Sequence, residues 1–373
     1  MRVIDKGIVH ACRQGADQQS CAFPYVCVTR SGRWVCSFRA APTKAGMKGQ
    51  RALVTWSDDR GKSWREPIEP FAPMELGGKP GLIRAAGICA VDGDTVAASL
   101  YWVDHSDPDL PFFNEETEGL LDSRILLSIS HDAGETWSEP RQIDTSPFTM
   151  PTPITGPILR IPSGEWACQF ELNKHYDELE PWRHASVLMF SPDSGRTWPR
   201  YSVVTQDPSN RVFYWDQRPS VLPDGRILDV FWTFDREAAV YLNIHATESR
   251  DGGRTWAPLW DTGVPGQPAP VFALADGTLA MPYVDRTSAP TIKIRRSLDG
   301  GRSWPAAGEV VLYDAGLASQ TWNKSTLQDA WAEMAKFSVG LPTTAAIATG
   351  GALVVYYAGT ATDETSIHWA LVE

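Results

Sequence analysis

The chain has no run of about 18 consecutive apolar residues, so it offers no candidate for a membrane-spanning helix. Its N-terminus, MRVIDKGIVHACRQG, lacks the apolar core of a secretory leader, and the expectation is a cytoplasmic protein. None of the six cysteines (Cys12, Cys21, Cys27, Cys36, Cys89 and Cys168) forms a CxxC pair. A zinc site is therefore not expected, and in a large leaderless chain reduced thiols are favoured over disulfides. There is no glycine-rich phosphate loop, and the acidic stretch DHSDPD lacks the glycine and terminal glutamate of a calcium-binding loop. Neither cofactor nor metal is expected. Positive charge is scarce as well: the net charge is −11 and the isoelectric point about 5.2. That balance speaks against nucleic acid or a membrane as partner, but a local cluster of arginines can still oppose it for a small anionic substrate. Nothing in the sequence bears on the oligomeric state.

Turn formers and tryptophan are abundant, with 30 Gly, 28 Pro and 16 Trp in 373 residues. The octet SRDGGRTW, from Ser249, has four relatives: SDDRGKSW from Ser57, SHDAGETW from Ser130, SPDSGRTW from Ser191 and SLDGGRSW from Ser297. All fit S-x-D-x-G-x-[ST]-W, and their aspartates follow one another at intervals of 73, 61, 58 and 48 residues. A strand-like run precedes each, so each box reads as a hairpin turn in a repeated unit. A second pattern has an apolar strand, a turn glycine and another apolar strand. It occurs six times, around Gly32, Gly93, Gly164, Gly225, Gly277 and Gly350. An inner hairpin followed by an outer hairpin gives four antiparallel strands, and six such units make an all-β, six-bladed β-propeller spanning 1–373 as a single domain. One helical insertion is expected near 325–337. Its Ser325 and Gln328 stand at capping-box spacing, and an apolar face is formed by Leu327, Trp331, Met334 and Phe337.

Five boxes with six inner hairpins resemble the Asp-box (BNR-repeat) sialidase superfamily over nearly the whole chain. The resemblance implies an exo-glycosidase that removes sialic acid, with an arginine triad, a tyrosine nucleophile partnered by glutamate and an aspartate acid/base. Several positions depart from that pattern. Ala22 in Cys21-Ala22-Phe23-Pro24 stands where the arginine of a Phe-Arg-Ile-Pro motif is implied. GMKGQRALV offers no acid, and VPGQPAPVF has no tyrosine. Asp216 falls near the position of the family's glutamate.

Strand direction locates the site independently. Box turns and inner-hairpin turns share one end, so the opposite end receives the start of each inner hairpin and the loop after its second strand. Seven or eight residues beyond the turn glycines stand Arg39, Tyr101, Glu171, Trp232, Asp285 and Tyr357, with Trp102, His105, Asp235 and Arg286 close by. Arg84, Asp216 and Arg218 lie just before inner strands. Charged residues are rarely buried without partners, so this ring reads as a site. Glu171, Asp216, Asp235 and Asp285 are the carboxylates eligible for catalysis. Glu171 is the choice for acid/base, because it ends an apolar strand where desolvation favours the protonated form. Asp216 is the choice for its partner. Arg39, Arg84 and Arg218 suit a carboxylate or sulfate. Trp102 and Trp232 suit stacking on sugar, and His105, Tyr176 and Tyr357 complete the expected binding set. The sequence thus points to a hydrolase acting on a carbohydrate ending in an acidic sugar. Two alternatives stay open: a uronate lyase, motivated by His105 and by His175, Tyr176 and Arg183 in one loop, or a non-catalytic carbohydrate- or protein-binding propeller.

Overall fold

The box sequence closes a hairpin because its polar side chains satisfy the turn's own backbone. The computed structural model describes residues 1–373. In the box from Ser191, the serine hydroxyl donates to Asp193 Oδ1 (2.8 Å) and accepts the Gly195 N–H (2.7 Å). Asp193 in turn accepts the Thr197 N–H (2.8 Å) and hydroxyl (2.7 Å). Asp59, Asp132, Asp251 and Asp299 repeat this arrangement. The fourth box residue has positive φ in all five copies, whether it is Arg60, Ala133, Ser194, Gly252 or Gly300. The box glycine is packed tight: a Cβ on Gly195 would lie 2.4 Å from Leu127 of the adjacent sheet. Trp256 packs against a cluster that joins Phe190 of one sheet to Ile227 and Phe231 of the next.

The fold is an all-β propeller arrangement with a single eight-residue helix, Leu327–Met334. Four antiparallel sheets stand as separate blades. They are built around the strand pairs Lys79–Asp92 with Thr95–Asp104, Trp166–Leu172 with Ala185–Ser191, Ile227–Asp235 with His245–Ser249, and Leu279–Asp285 with Thr291–Ser297. A fifth sheet has seven strands and unites the two ends of the chain. In it Val3–His10 pairs with Glu364–Val372, so the last hairpin takes its outer strand from the N-terminus. The glycines of all six inner turns have φ between 57° and 91°, the left-handed region glycine enters freely. The apolar core lies between neighbouring sheets, and all six cysteines are unpaired.

The turn hydrogen bonds carry a pH signature. The Thr197 hydroxyl donating to Asp193 holds that carboxyl at about 2, and Ser63 and Ser303 do the same for Asp59 and Asp299. A carboxyl depressed on folding stabilises above its ordinary range and loses that contribution as pH falls toward its folded value. The thermal midpoint should therefore drop between pH about 4 and about 2. Asp193→Asn should start lower at neutral pH and show a shallower acid limb. An unchanged limb in that variant would contradict the assignment.

Candidate functional site

Where each inner hairpin opens, paired residues form a rung of side chains around the axis. Ala22 faces Arg39, Ala85 faces Tyr101, Trp215 faces Trp232, and Gly340 faces Tyr357. The ladder register shifts at this level in three hairpins, between Ala22 and Tyr25, Ile83 and Ala85, and Gly340 and Thr343. A bulge of this kind re-aims a side chain. Here the extra residues Phe23, Arg84 and Leu341 all reach the axial cavity. Phe23, Leu341 and Asp216 have φ of 51°, 46° and 51°. Such conformations cost bulky residues about 1–3 kcal/mol each and collect at functional sites.

The cavity has a volume of about 460 Å³. Five cations line it: Arg39, Lys44, Arg84, Arg218 and Arg286. All but the partly exposed Arg84 are buried. Arg39, Lys44, Arg84 and Arg286 form no ion pair; their contacts are backbone carbonyls, hydroxyls, a thioether, amide oxygens and aromatic faces. Arg39, fully buried, donates to the Lys44 carbonyl (3.0 Å) and lies 5.3 Å from the Phe23 ring centre. Arg84 lies over Phe112 at 4.4 Å. Arg286 reaches Gln267 Oε1 (3.0 Å) and the Val339 carbonyl (2.8 Å), over Phe337 at 3.9 Å. Lys44 Nζ donates to the Met334 carbonyl (2.9 Å) and to the carbonyl of Phe337. Burial, with neighbouring Arg84, pushes Arg39 down to about 9. Burial, with Arg286 and Arg39 close by, likewise lowers Lys44 well below the usual lysine range. Gly340 makes room for this group: a Cβ there would sit 2.6 Å from an Arg286 nitrogen and 2.7 Å from the Tyr357 hydroxyl.

Glu171 and Asp216 bring the carboxylates. Glu171, nearly buried, accepts the backbone N–H of Asp216 on Oε1. Asp216 Oδ2 accepts from the Gln267 amide, and Oδ1 lies 3.6 Å from Arg218. Two adjacent blades thus present the carboxylates of Glu171 and Asp216 to one cavity. A second cavity, about 640 Å³, opens toward the inner-hairpin turns and has no carboxylate, histidine or lysine in its lining. The box residues line neither cavity. The carboxylate-bearing cavity thus lies at the end remote from the boxes.

Two insertions roof the carboxylate-bearing cavity. The segment Asp104–Gly119 contributes Phe112 and Phe113, and the helix contributes Trp331. Phe113 stacks on Trp331 at 4.4 Å, and Gln328 donates to the Glu115 carbonyl (3.0 Å). The helix is capped one residue later than expected: Thr326 and Asp329 make the capping box. Trp322 is exposed and Gln320 bonds Ser338; neither lines the cavity.

Of the expected residues, Glu171, Asp216, Arg39, Arg84, Arg218, Trp232 and Tyr357 converge on the cavity. The others do not. Asp235 is held by Arg211 (2.7 Å) and by the N–H groups of Glu237 and Ala238. Asp285 binds Lys293 (2.9 Å) and Thr287. Trp102 is buried under the Met74 carbonyl, to which its indole donates (2.9 Å). His105 and Tyr176 lie outside the lining, and His175 and Arg183 of the proposed elimination set are exposed. The sequence reading missed Lys44 and Gln267 and assigned no binding role to Phe112, Phe113 or Trp331. Lys44, Phe112 and Phe113 sit on non-repeating loops and Trp331 on the inserted helix, none of which the repeat pattern indexes.

An all-β propeller of Asp-box hairpins around one such cavity defines a sialidase-like scaffold. The chain belongs to the BNR repeat-like domain family, which matches residues 110–316. Among solved structures it is similar to a Dyadobacter fermentans protein described as of unknown function, at 20% identity and TM-score 0.74, covering 99% of this chain and 98% of that one. It is also similar to the Hadza microbial sialidase Hz136, at 15% identity and TM-score 0.58, covering 96% of this chain and 66% of that one. The Trypanosoma rangeli sialidase matches at 12% identity and TM-score 0.62, covering 95% of this chain and 55% of that one. At such identities the likeness shows the fold. No functionally curated protein matches the chain.

Unpaired buried cations favour an anion. Sulfate at constant ionic strength should raise the thermal midpoint, by about 3 kcal/mol of stability at a hundredfold excess over Kd. Arg39→Met should lose most of that rise. An equal rise in the variant would place the anion elsewhere.

Proposed function

We propose that this protein is a sialidase-like glycoside hydrolase, exo-acting on a glycan or oligosaccharide that ends in an acidic sugar. The observation that carries the reading is the set of cations in the cavity that form no ion pair. A buried charge is costly unless paired, and a sugar carboxylate would supply the missing partner. Arg39, Arg84 and Arg286 are the residues assigned to it, with Arg218 already beside Asp216. Trp232 and Tyr357 border the sugar. Glu171 serves as acid/base and Asp216 as the second carboxylate. The roof of Phe113 and Trp331 favours a terminal residue over the middle of a polymer, which supports exo action. The exposed positions of His175 and Arg183 weigh against elimination chemistry.

The ring is also proposed to close with six blades. The seven-stranded sheet is joined at its middle by one parallel pair, Ser20 with Thr365. Divided there, it gives a four-stranded blade ending in Val3–His10 and a three-stranded blade of Ser20–Val28, Trp34–Ala41 and Arg51–Ser57.

The test is a panel of aryl glycosides and acidic oligosaccharides assayed with Glu171→Gln and Asp216→Asn. Each substitution should lower kcat/KM by about 100-fold or more. Undiminished turnover in both would refute the carboxylate assignment.

A further inference from the structure

The buried imidazole of His184 faces Glu171 and has no other polar partner. Glu171 pairs across the ladder with Ser186. His184 immediately precedes the strand Ala185–Ser191, two residues before Ser186, and its side chain lies diagonally across from Glu171. His184 is 2% exposed, and its Nε2 lies 3.5 Å from Glu171 Oε2. The ring stacks on Phe213 at 5.3 Å and meets the edge of Trp182 at 5.8 Å. Neither ring nitrogen has a hydrogen-bond partner in the resting geometry.

A buried imidazolium would need acceptors at both nitrogens, and only Glu171 is available. The neutral ring with its proton on Nε2 leaves a single lone pair against the aromatic wall and aims its N–H at the carboxylate. Glu171 Oε1 already accepts the Asp216 N–H, so the imidazole would fix the second oxygen. We propose that His184 is a positioning residue: its Nε2–H orients the Glu171 carboxylate into the cavity. This rests on the hydrolase reading for its catalytic consequence, while the pairing itself belongs to the resting protein.

Several other groups lie around the pair. Asp216 and Arg218 approach from the segment after Val212–Trp215. Tyr101 and Asp229 couple to the Glu171 charge from their own strands. Arg236 lies over the far ring Phe213 at 5.7 Å. None of these hydrogen-bonds to His184.

Two measurements separate this proposal from the hydrolase reading. In the first, ring nitrogen NMR of the resting protein should show His184 as the neutral Nε2–H tautomer, with a shift on Glu171→Gln. An Nδ1–H tautomer, an imidazolium at neutral pH or no response to Glu171→Gln would overturn the pairing, whatever the substrate. The second compares His184→Phe with His184→Gln. His184→Phe keeps the packing but loses the donor, and should lower kcat by about 100-fold with KM little changed. His184→Gln should recover most of the lost kcat. If His184→Phe changes only the thermal midpoint, the role is structural and the proposal fails.

Discussion

The site depends on holding guanidinium and ammonium groups in a low-dielectric cavity without carboxylate partners. Taking a cation out of water costs several kcal/mol even after relaxation. Here carbonyl oxygens, amide oxygens and aromatic faces offset part of that cost, as for Arg286 between Gln267, Val339 and Phe337. The remainder is left for a ligand. The chain's net charge of −11 makes the local excess more telling: acidic side chains are plentiful, and Glu171 and Asp216 share the cavity, yet none forms an ion pair with Arg39, Lys44, Arg84 or Arg286.

Such an arrangement requires stiff supports, and the repeats supply them at the opposite end. Each box turn satisfies its own backbone, and Gly134, Gly195, Gly253 and Gly301 press into the neighbouring sheet, which fixes how those blades splay. The strands then deliver their far ends to the axis in register. The bulges at Phe23, Arg84 and Leu341 add what regular pairing could not: side chains turned out of the ladder into the cavity. The strained φ values at Phe23, Leu341 and Asp216 fit this division between a repeated scaffold and a non-repeating site.

The repeats made the scaffold readable, because a turn that recurs five times with the same polar spacing has one local solution. Counting along the second strand from the turn glycine reaches the cavity at Arg39, Tyr101, Glu171, Trp232 and Tyr357, because the extra residues of the bulges fall on the first strand. It failed where a count was off by one, because strand side chains alternate faces. Tyr101 reaches the cavity and Trp102 does not; Arg286 reaches it and Asp285 turns to Lys293. Lys44, Phe113 and Trp331 depend on loop paths and on packing between insertions, for which the sequence holds no period. Nor did composition reveal His184, whose importance comes from its diagonal position across a ladder.

The central claim is that an anion belongs among the unpaired cations. It is tested most directly by calorimetric titration with an acidic monosaccharide and with its methyl ester, which differ only in that charge. The account predicts saturable binding of the acid and loss of most of that affinity in the ester. Equal affinity for both would contradict it.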